Sequence, residues 1–168
     1  GMGQIGQAIL ARLKGFGFSF VVADPGLSKA QAAEVGATLV DADTLLATAD
    51  IISLNAPATV QTTNFFNAAR LSQMQSHAMI VNSARGQLIV EDDIAAALEN
   101  GVIGGAALDV FHAEPLPMSS RLRNAPNLVL TPHAAWYSEA AIGRLQSLVA
   151  EDIARALGGD APRKPVRM

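Results

Sequence analysis

Cysteine is missing from the 168 residues. Disulfides, thiolate metal sites and a cysteine nucleophile are therefore excluded, and the absence fits a cytoplasmic protein. Charge is scarce too: 16% of residues are charged, and 12 Lys+Arg against 15 Asp+Glu leave a net charge of −3. Such a balance gives no electrostatic reason to expect nucleic acid or an anionic membrane as partner. No apolar run approaches the ~18 residues of a membrane span, and no basic-then-apolar stretch reads as a leader. Aromatic residues are few, with one Trp and one Tyr, which makes the adjacent Trp136-Tyr137 conspicuous. Hydrophobic residues make up 50% of the chain, and mean hydropathy is +0.27. Disorder needs the opposite composition. The length alone suggests one domain.

Strand-like and helix-like stretches alternate along the chain. Helical spacing is read in Gln4–Lys14, Lys29–Val35, Asp43–Ala47, Val90–Asn100 and Ser138–Leu157. Short apolar runs at Phe18–Ala23, Thr38–Val40, Ile51–Leu54, Ala78–Asn82, Gly104–Phe111 and Leu128–Leu130 read as strands. Because these runs are continuous rather than alternating, they predict strands covered by helices on both faces. The expected fold is a doubly wound parallel sheet in three α/β/α layers. No internal repeat or low-complexity segment is present. Ala161–Met168 reads as an unpacked tail.

Gly1-x-Gly3-x-x-Gly6 opens a predicted helix. In a dinucleotide fingerprint the first glycine makes the tight turn and the second lets a pyrophosphate reach the backbone. The third permits close helix–sheet packing. Free N–H groups at the helix start bind phosphate without any Lys or Arg. A strand follows, then Asp24, at roughly the 20-residue spacing of the carboxylate that takes both ribose hydroxyls of NAD and repels the 2′-phosphate of NADP. The alternative reads Gly1 as a stray residue before an initiating Met2, and Asp24 as a turn former before Pro25.

Three polar residues lie one short loop past apolar runs, where a doubly wound sheet places its ligands. Arg85 follows Ala78–Asn82, Glu114 follows the run ending near Phe111, and His133 follows Leu128–Leu130. Arginine offers a planar fork for a carboxylate. Histidine exchanges protons near neutral pH, and a glutamate beside it orients the ring. The trio suits a substrate with a carboxylate next to a carbonyl or hydroxyl, with NAD handling the hydride and His133 the proton. Singly, an arginine or a glutamate is usually a solvated surface charge, and a histidine after a proline is more often structural than catalytic. His77 has no partner type nearby in sequence, whereas His112 is close to Glu114. Trp136 either packs at a helix start or walls a substrate pocket.

Asn82-Ser83-Ala84-Arg85-Gly86, Gly105–Val110, Glu114-Pro115 and Pro126–Glu139, with Gly1–Gly6, Ala23–Pro25 and Ile52–Thr62, together resemble the D-isomer-specific 2-hydroxyacid dehydrogenases. Ala134–Glu139 is similar to the branch that holds the C-terminal-binding proteins, which are NAD-binding corepressors, and their phosphoglycerate-dehydrogenase-like relatives. The resemblance implies a Rossmann-type fold and an NAD-dependent dehydrogenase acting on a 2-hydroxy acid or its 2-keto acid. It makes Arg85 the substrate-carboxylate ligand, His133 the acid/base and Glu114 its partner, with Trp136 facing the substrate. It sets Gly1, Gly3, Gln4, Ile5 and Gly6 along the pyrophosphate and Asp24 on the adenosine ribose. Ala56, Pro57 and Thr62 line the cofactor cleft. Ser83, Ala84 and Arg85 pass near the nicotinamide beside His133, and Asp109 takes the carboxamide. Asn55 stands where many relatives carry His.

The resemblance further implies an NAD-binding domain over 1–137, incomplete at its N-terminus, and a helix and tail over 138–168 that return toward a separate substrate domain. The parent chain would have about 320–340 residues and form a homodimer through the nucleotide domain. The first strand, central in the order 3-2-1-4-5-6, is expected to be missing, leaving two strands with unpaired edges. Two other functions are carried as alternatives: an NAD(H)-sensing corepressor-like binding protein, and a truncated non-catalytic domain.

Overall fold

The computed structural model describes residues 1–163; Lys164–Met168, the end of the expected unpacked tail, lie outside the described residues. Two compact units are present, Gly1–His133 and a second that begins at Ala134. The elements are α1 (Gln4–Leu13), β1 (Val21–Val22), α2 (Lys29–Glu34), β2 (Thr38–Leu39), α3 (Ala42–Thr48), β3 (Ile51–Leu54), α4 (Ala68–Leu71), β4 (Met79–Asn82), α5 (Glu91–Glu99), β5 (Gly105–Leu108), β6 (Leu128–Leu130) and α6 (Glu139–Leu157). Every predicted helix and strand is present, but Phe18–Ala23 shortens to Val21–Val22 and Gly104–Phe111 to Gly105–Leu108. The single turn α4 was not expected, nor were the 3₁₀ turns Gly86–Leu88 and Arg121–Asn124.

Local chemistry sets the boundaries. Ser28 caps α2 with a capping box through Gln31, and Asp41 and Asn67 cap α3 and α4. Glu91, Asp92 and Asp93 occupy the first turn of α5, where carboxylates favour the positive end of the helix dipole.

All strand pairs are parallel. β1 pairs with β2, and a four-stranded sheet runs β3-β4-β5-β6. Gly1 bridges the two sheets: its N donates to Ala23 O just past β1 (3.1 Å), and its Cα lies against the Asn55 carbonyl just past β3. These are the two flanks of the expected doubly wound order, with no described strand between β1 and β3. Met2, Leu10, Val22, Ala32 and Ala37 form a small core where α1 and α2 meet β1. The larger core joins Ile52, Leu54, Ile80, Ala106 and Leu108 of the sheet to Leu46, Leu71, Ile94 and Leu98 of α3, α4 and α5.

Burial on both faces of the four-stranded sheet was expected, and the described residues differ. α3, α4 and α5 all cover the face of Ile52 and Ile80, so β3 and β4 alternate buried and exposed despite their continuous apolar sequence. Ile51, Met79, Val81 and Val129 on the other face are exposed.

In the second unit Ser138 caps α6 by accepting from Ala141 N (3.0 Å). The start of the tail is exposed yet tied to α6 by hydrogen bonds. Arg163 Nε donates to Asp152 Oδ1 (2.9 Å), its Nη1 to Glu151 Oε2 (2.8 Å) and its Nη2 to Leu148 O (2.6 Å). A guanidinium carries five donors in a fixed fork, enough to reach two carboxylates and a carbonyl at once. No helix among the described residues is long and apolar enough to cross a membrane.

Ile80 is fully buried at the centre of the larger core. Ile80→Ala should destabilise the fold by about 2–5 kcal/mol through lost transfer energy and the cavity left behind. Urea unfolding would show this as a lower midpoint at unchanged slope.

Candidate active site

Register creates the site. Leu54 pairs with Asn82, Asn82 with Leu108, and Leu108 with Leu130. The four strands therefore end on one rung, and the loops beginning at Asn55, Ser83, Asp109 and Thr131 leave the same edge of the sheet. Open parallel sheets bind ligands beyond this carboxyl edge.

The sixth and fifth strands bring two predicted residues together. Glu114 Oε2 and His133 Nδ1 lie 2.7 Å apart. A carboxylate only accepts, so Nδ1 carries the proton of this bond. The other carboxylate oxygen, Oε1, accepts from Phe111 N (3.0 Å). Glu114 is thereby held at both oxygens, once by its own loop and once by the imidazole. The hydrogen bond from His133, and after it the Phe111 N–H, hold the Glu114 carboxyl below its ordinary value. His133 adopts a left-handed backbone (φ 54°). Non-glycine residues take that region only when their surroundings impose it, and such residues cluster at functional sites. Glu114 and His133 share a cleft of about 410 Å³ with Phe111, Leu116, Leu130 and Thr131.

Arg85 projects from the loop after β4 and is exposed. Its backbone is held from below: Asn82 Oδ1 accepts from Ala84 N (3.0 Å) and Asn82 Nδ2 donates to Arg85 O (2.9 Å). Gly86 fits flat against the next loop, where a Cβ would stand 2.1 Å from the Phe111 carbonyl carbon. The Arg85 loop and the Glu114 loop are thus in backbone contact. Asp109 is buried. Thr131 Oγ1 donates to its Oδ1 (2.5 Å), which ties the end of β5 to that of β6. Thr131 was not singled out from sequence. Its place between β6 and Pro132-His133 was the available signal.

The glycine turn is tightly packed. A Cβ on Gly1 would meet Asn55 O at 2.6 Å, and one on Gly6 would meet Gly1 O at 2.5 Å. Gly6 is thus required by the turn itself rather than by the helix–sheet contact expected of it. Gly3 caps α1 without any side-chain hydrogen bond, and a Cβ there would meet nothing within 4 Å. Gln4 and Ile5, in the first turn, are exposed. Open space lies before unpaired N–H groups, which fits a diphosphate. Asp24 Oδ2 accepts from Met2 N (2.7 Å) and Oδ1 from Gly26 N (2.9 Å). The Met2 N–H above all, with help from Gly26, holds this carboxyl below its ordinary value against the opposing effect of burial. A carboxylate retains further acceptor capacity beyond these two bonds. Across the turn, Thr62 Oγ1 donates to Pro57 O (2.6 Å) and accepts from Thr59 N (2.8 Å), closing the loop that carries Ala56 and Pro57. These residues fit a dinucleotide.

The remaining histidines fall elsewhere. His77 does have a partner, Asp50, at 2.7 Å between Nε2 and Oδ1. Parallel pairing sets the start of β3 beside the start of β4, at the edge opposite the site, and sequence distance hides that pair. His112 turns from Glu114: its N donates to Glu91 Oε1 (2.7 Å) and its Nε2 lies 2.9 Å from Ile89 O. Trp136 belongs to the second unit, where its ring packs edge-on against Tyr137 with centroids 5.6 Å apart. Among the described residues no group of three or more His, Cys, Asp and Glu is arranged to hold a metal ion.

Residues 1–135 match the family model for the NAD binding domain of D-isomer specific 2-hydroxyacid dehydrogenases. The chain is 41% identical over its whole length to a D-3-phosphoglycerate dehydrogenase of Synechocystis sp., covering 30% of that protein. It is 36% identical over 96% of its length to a glyoxylate reductase of Korarchaeum cryptofilum, covering 49% of it. It superimposes with a TM-score of 0.87 on the NAD-complexed D-isomer specific 2-hydroxyacid dehydrogenase of Lactobacillus delbrueckii ssp. bulgaricus, at 30% identity over 99% of this chain and 54% of that one. The chain therefore spans about half, or less, of the length of these relatives. A glycine turn closed by a carboxylate, on the open edge of a parallel sheet, agrees with these matches: the chain belongs to the D-isomer specific 2-hydroxyacid dehydrogenase family, its residues 1–135 matching the NAD binding domain.

Proposed function

We propose that the protein carrying this chain is an NAD-dependent oxidoreductase that interconverts a small D-2-hydroxy acid and its 2-keto acid. The observation that carries the proposal is the 2.7 Å Glu114–His133 contact, inside a cleft at the carboxyl edge of the sheet. Gly1, Gly3, Gln4, Ile5 and Gly6 hold the diphosphate, and Asp24 the adenosine ribose. Ala56, Pro57 and Thr62 line the cleft, while Ser83, Ala84 and Asp109 face the nicotinamide. When bound, the reduced cofactor NADH would supply the hydride for reduction of the keto acid, and NAD would accept it in the reverse direction.

Arg85 binds the substrate carboxylate, since its fork matches two carboxylate oxygens. In the reductive direction His133 Nε2 gives a proton to the developing alkoxide, and in the oxidative direction it takes the hydroxyl proton. Glu114 fixes the tautomer and stabilises the ring when it is charged. Trp136 borders the substrate. α6 belongs with a separate substrate domain, where its exposed Leu145, Val149 and Ile153 would be buried. The protein works as a homodimer joined through this domain.

A panel of glyoxylate, hydroxypyruvate and pyruvate with NADH tests the reading, and turnover of none of them by the intact protein would overturn it. On a substrate that turns over, His133→Ala should lower kcat by about 10²–10⁴-fold, the usual worth of a positioned general acid. NADH affinity, read by fluorescence, should survive. Asp24→Ala should narrow the preference for NAD over NADP, and it should also weaken NAD itself because Met2 N loses its acceptor. Comparing kcat/KM with the two cofactors checks both effects.

Acid pH provides a further check. The folded protein holds Glu114 below its ordinary value, so the unfolded chain binds that proton more readily. The stability it contributes is complete above the unfolded pKa and is lost as pH falls through the folded one. Glu114→Gln should therefore be less stable than the parent at neutral pH. The difference should close in acid, as urea midpoints measured across that range would show.

A further inference from the structure

Leu54, Asn82, Leu108 and Leu130 form one rung of the sheet. Three of the four positions are leucine; the second is an amide only 1% exposed. Packing alone would be served by another apolar residue, because buried polar groups stabilise only when their partners are in place. Both ends of this amide are in fact engaged, and both partners lie in the loop bearing Arg85. Oδ1 accepts from Ala84 N at 3.0 Å and Nδ2 donates to Arg85 O at 2.9 Å. The first bond is an Asx turn, and the second closes the tripeptide Ser83–Arg85 over it. The Arg85 guanidinium itself donates to Ala84 O at 2.6 Å, within the same tripeptide. The direction of the guanidinium is therefore set by the loop backbone, and the loop backbone by Asn82. Gly86, against the Phe111 carbonyl, blocks the loop on its far side.

We propose that Asn82 is a positioning residue, whose buried side-chain amide sets the Ser83–Arg85 backbone and thereby aims the Arg85 guanidinium at the substrate carboxylate. The inference rests on the reading of Arg85 as carboxylate ligand. Asn82 acts on the cofactor side by a separate route, since its backbone O accepts from Asp109 N (2.9 Å). Side-chain substitutions leave that bond intact. The amide therefore acts first on substrate affinity, through Arg85, and more weakly on cofactor affinity, through Ser83 and Ala84 of the same tripeptide.

The experiment uses the intact protein, saturated with NADH, and oxalate as a two-carbon probe of the carboxylate site. Asn82→Ala, Asn82→Ser, Arg85→Ala and the double variant Asn82→Ala/Arg85→Ala are compared by calorimetry, with KM and kcat for glyoxylate alongside. Serine can still accept from Ala84 N but is too short to reach Arg85 O, so it isolates the second bond and provides a milder variant should alanine unfold. Asn82→Ser should weaken oxalate about tenfold, as expected for one lost positioning bond, and Asn82→Ala, which loses both, at least as much. Glyoxylate KM should rise in parallel, with NADH affinity falling by less than oxalate affinity. In the Arg85→Ala background the Asn82 change should have no further effect, because it acts through the missing fork. An equal loss of oxalate affinity in both backgrounds, or a serine variant that binds like the parent, overturns the proposal. Unchanged oxalate binding in Arg85→Ala would instead overturn the reading of Arg85 itself, and the Asn82 inference with it.

Discussion

The site depends above all on the parallel hydrogen-bonded register of β3 to β6. Leu54, Asn82, Leu108 and Leu130 stand in one rung, so four loops far apart in sequence leave the sheet at the same height. A slip of one residue would turn each side chain to the opposite face and move its loop out of line. Register is in turn secured by the buried face, where Ile52 and Ile80 are locked against α3, α4 and α5. The placement of Arg85, Asp109, Glu114 and His133 at one edge is thus a by-product of burying apolar surface.

Within that frame, backbone groups hold the functional side chains. Glu114 is fixed by Phe111 N before it meets His133. Asp24 accepts from Met2 and Gly26, and the Arg85 loop hangs from the amide of Asn82. Each polar group therefore points in a direction set by the chain rather than by a long, flexible neighbour. Such pre-positioning matters for proton transfer and for two-point recognition of a carboxylate, both of which are sensitive to small displacements. Close backbone approaches serve the same end. Gly1 against Asn55, and Gly86 against Phe111, leave no space for a Cβ, and so lock neighbouring loops together.

Much of this was legible from residue order. The carboxylate past the first apolar run and the three polar residues past later runs do lie beyond strand ends. What escaped was pairing across sequence distance. His77 looked partnerless until parallel strands set Asp50 beside it. The tail looked loose until Arg163 reached back to Asp152 and Glu151. Continuous apolar strands suggested burial on both faces, yet all three helices packed on the larger sheet lie over one of them. In each case local pattern reports only the element, whereas the partner depends on which elements fold together.

Sequence by itself determined the alternation of short apolar strands and helices, the caps, the glycine turn and the chemical types gathered past the strand ends, because these follow from local periodicity and side-chain chemistry. Tertiary structure alone decided that His77 meets Asp50, that Thr131 grips Asp109, and that a buried asparagine rather than a fourth leucine carries the loop of Arg85. Those contacts join residues brought to a common edge by strand register, and register is a property of the assembled sheet.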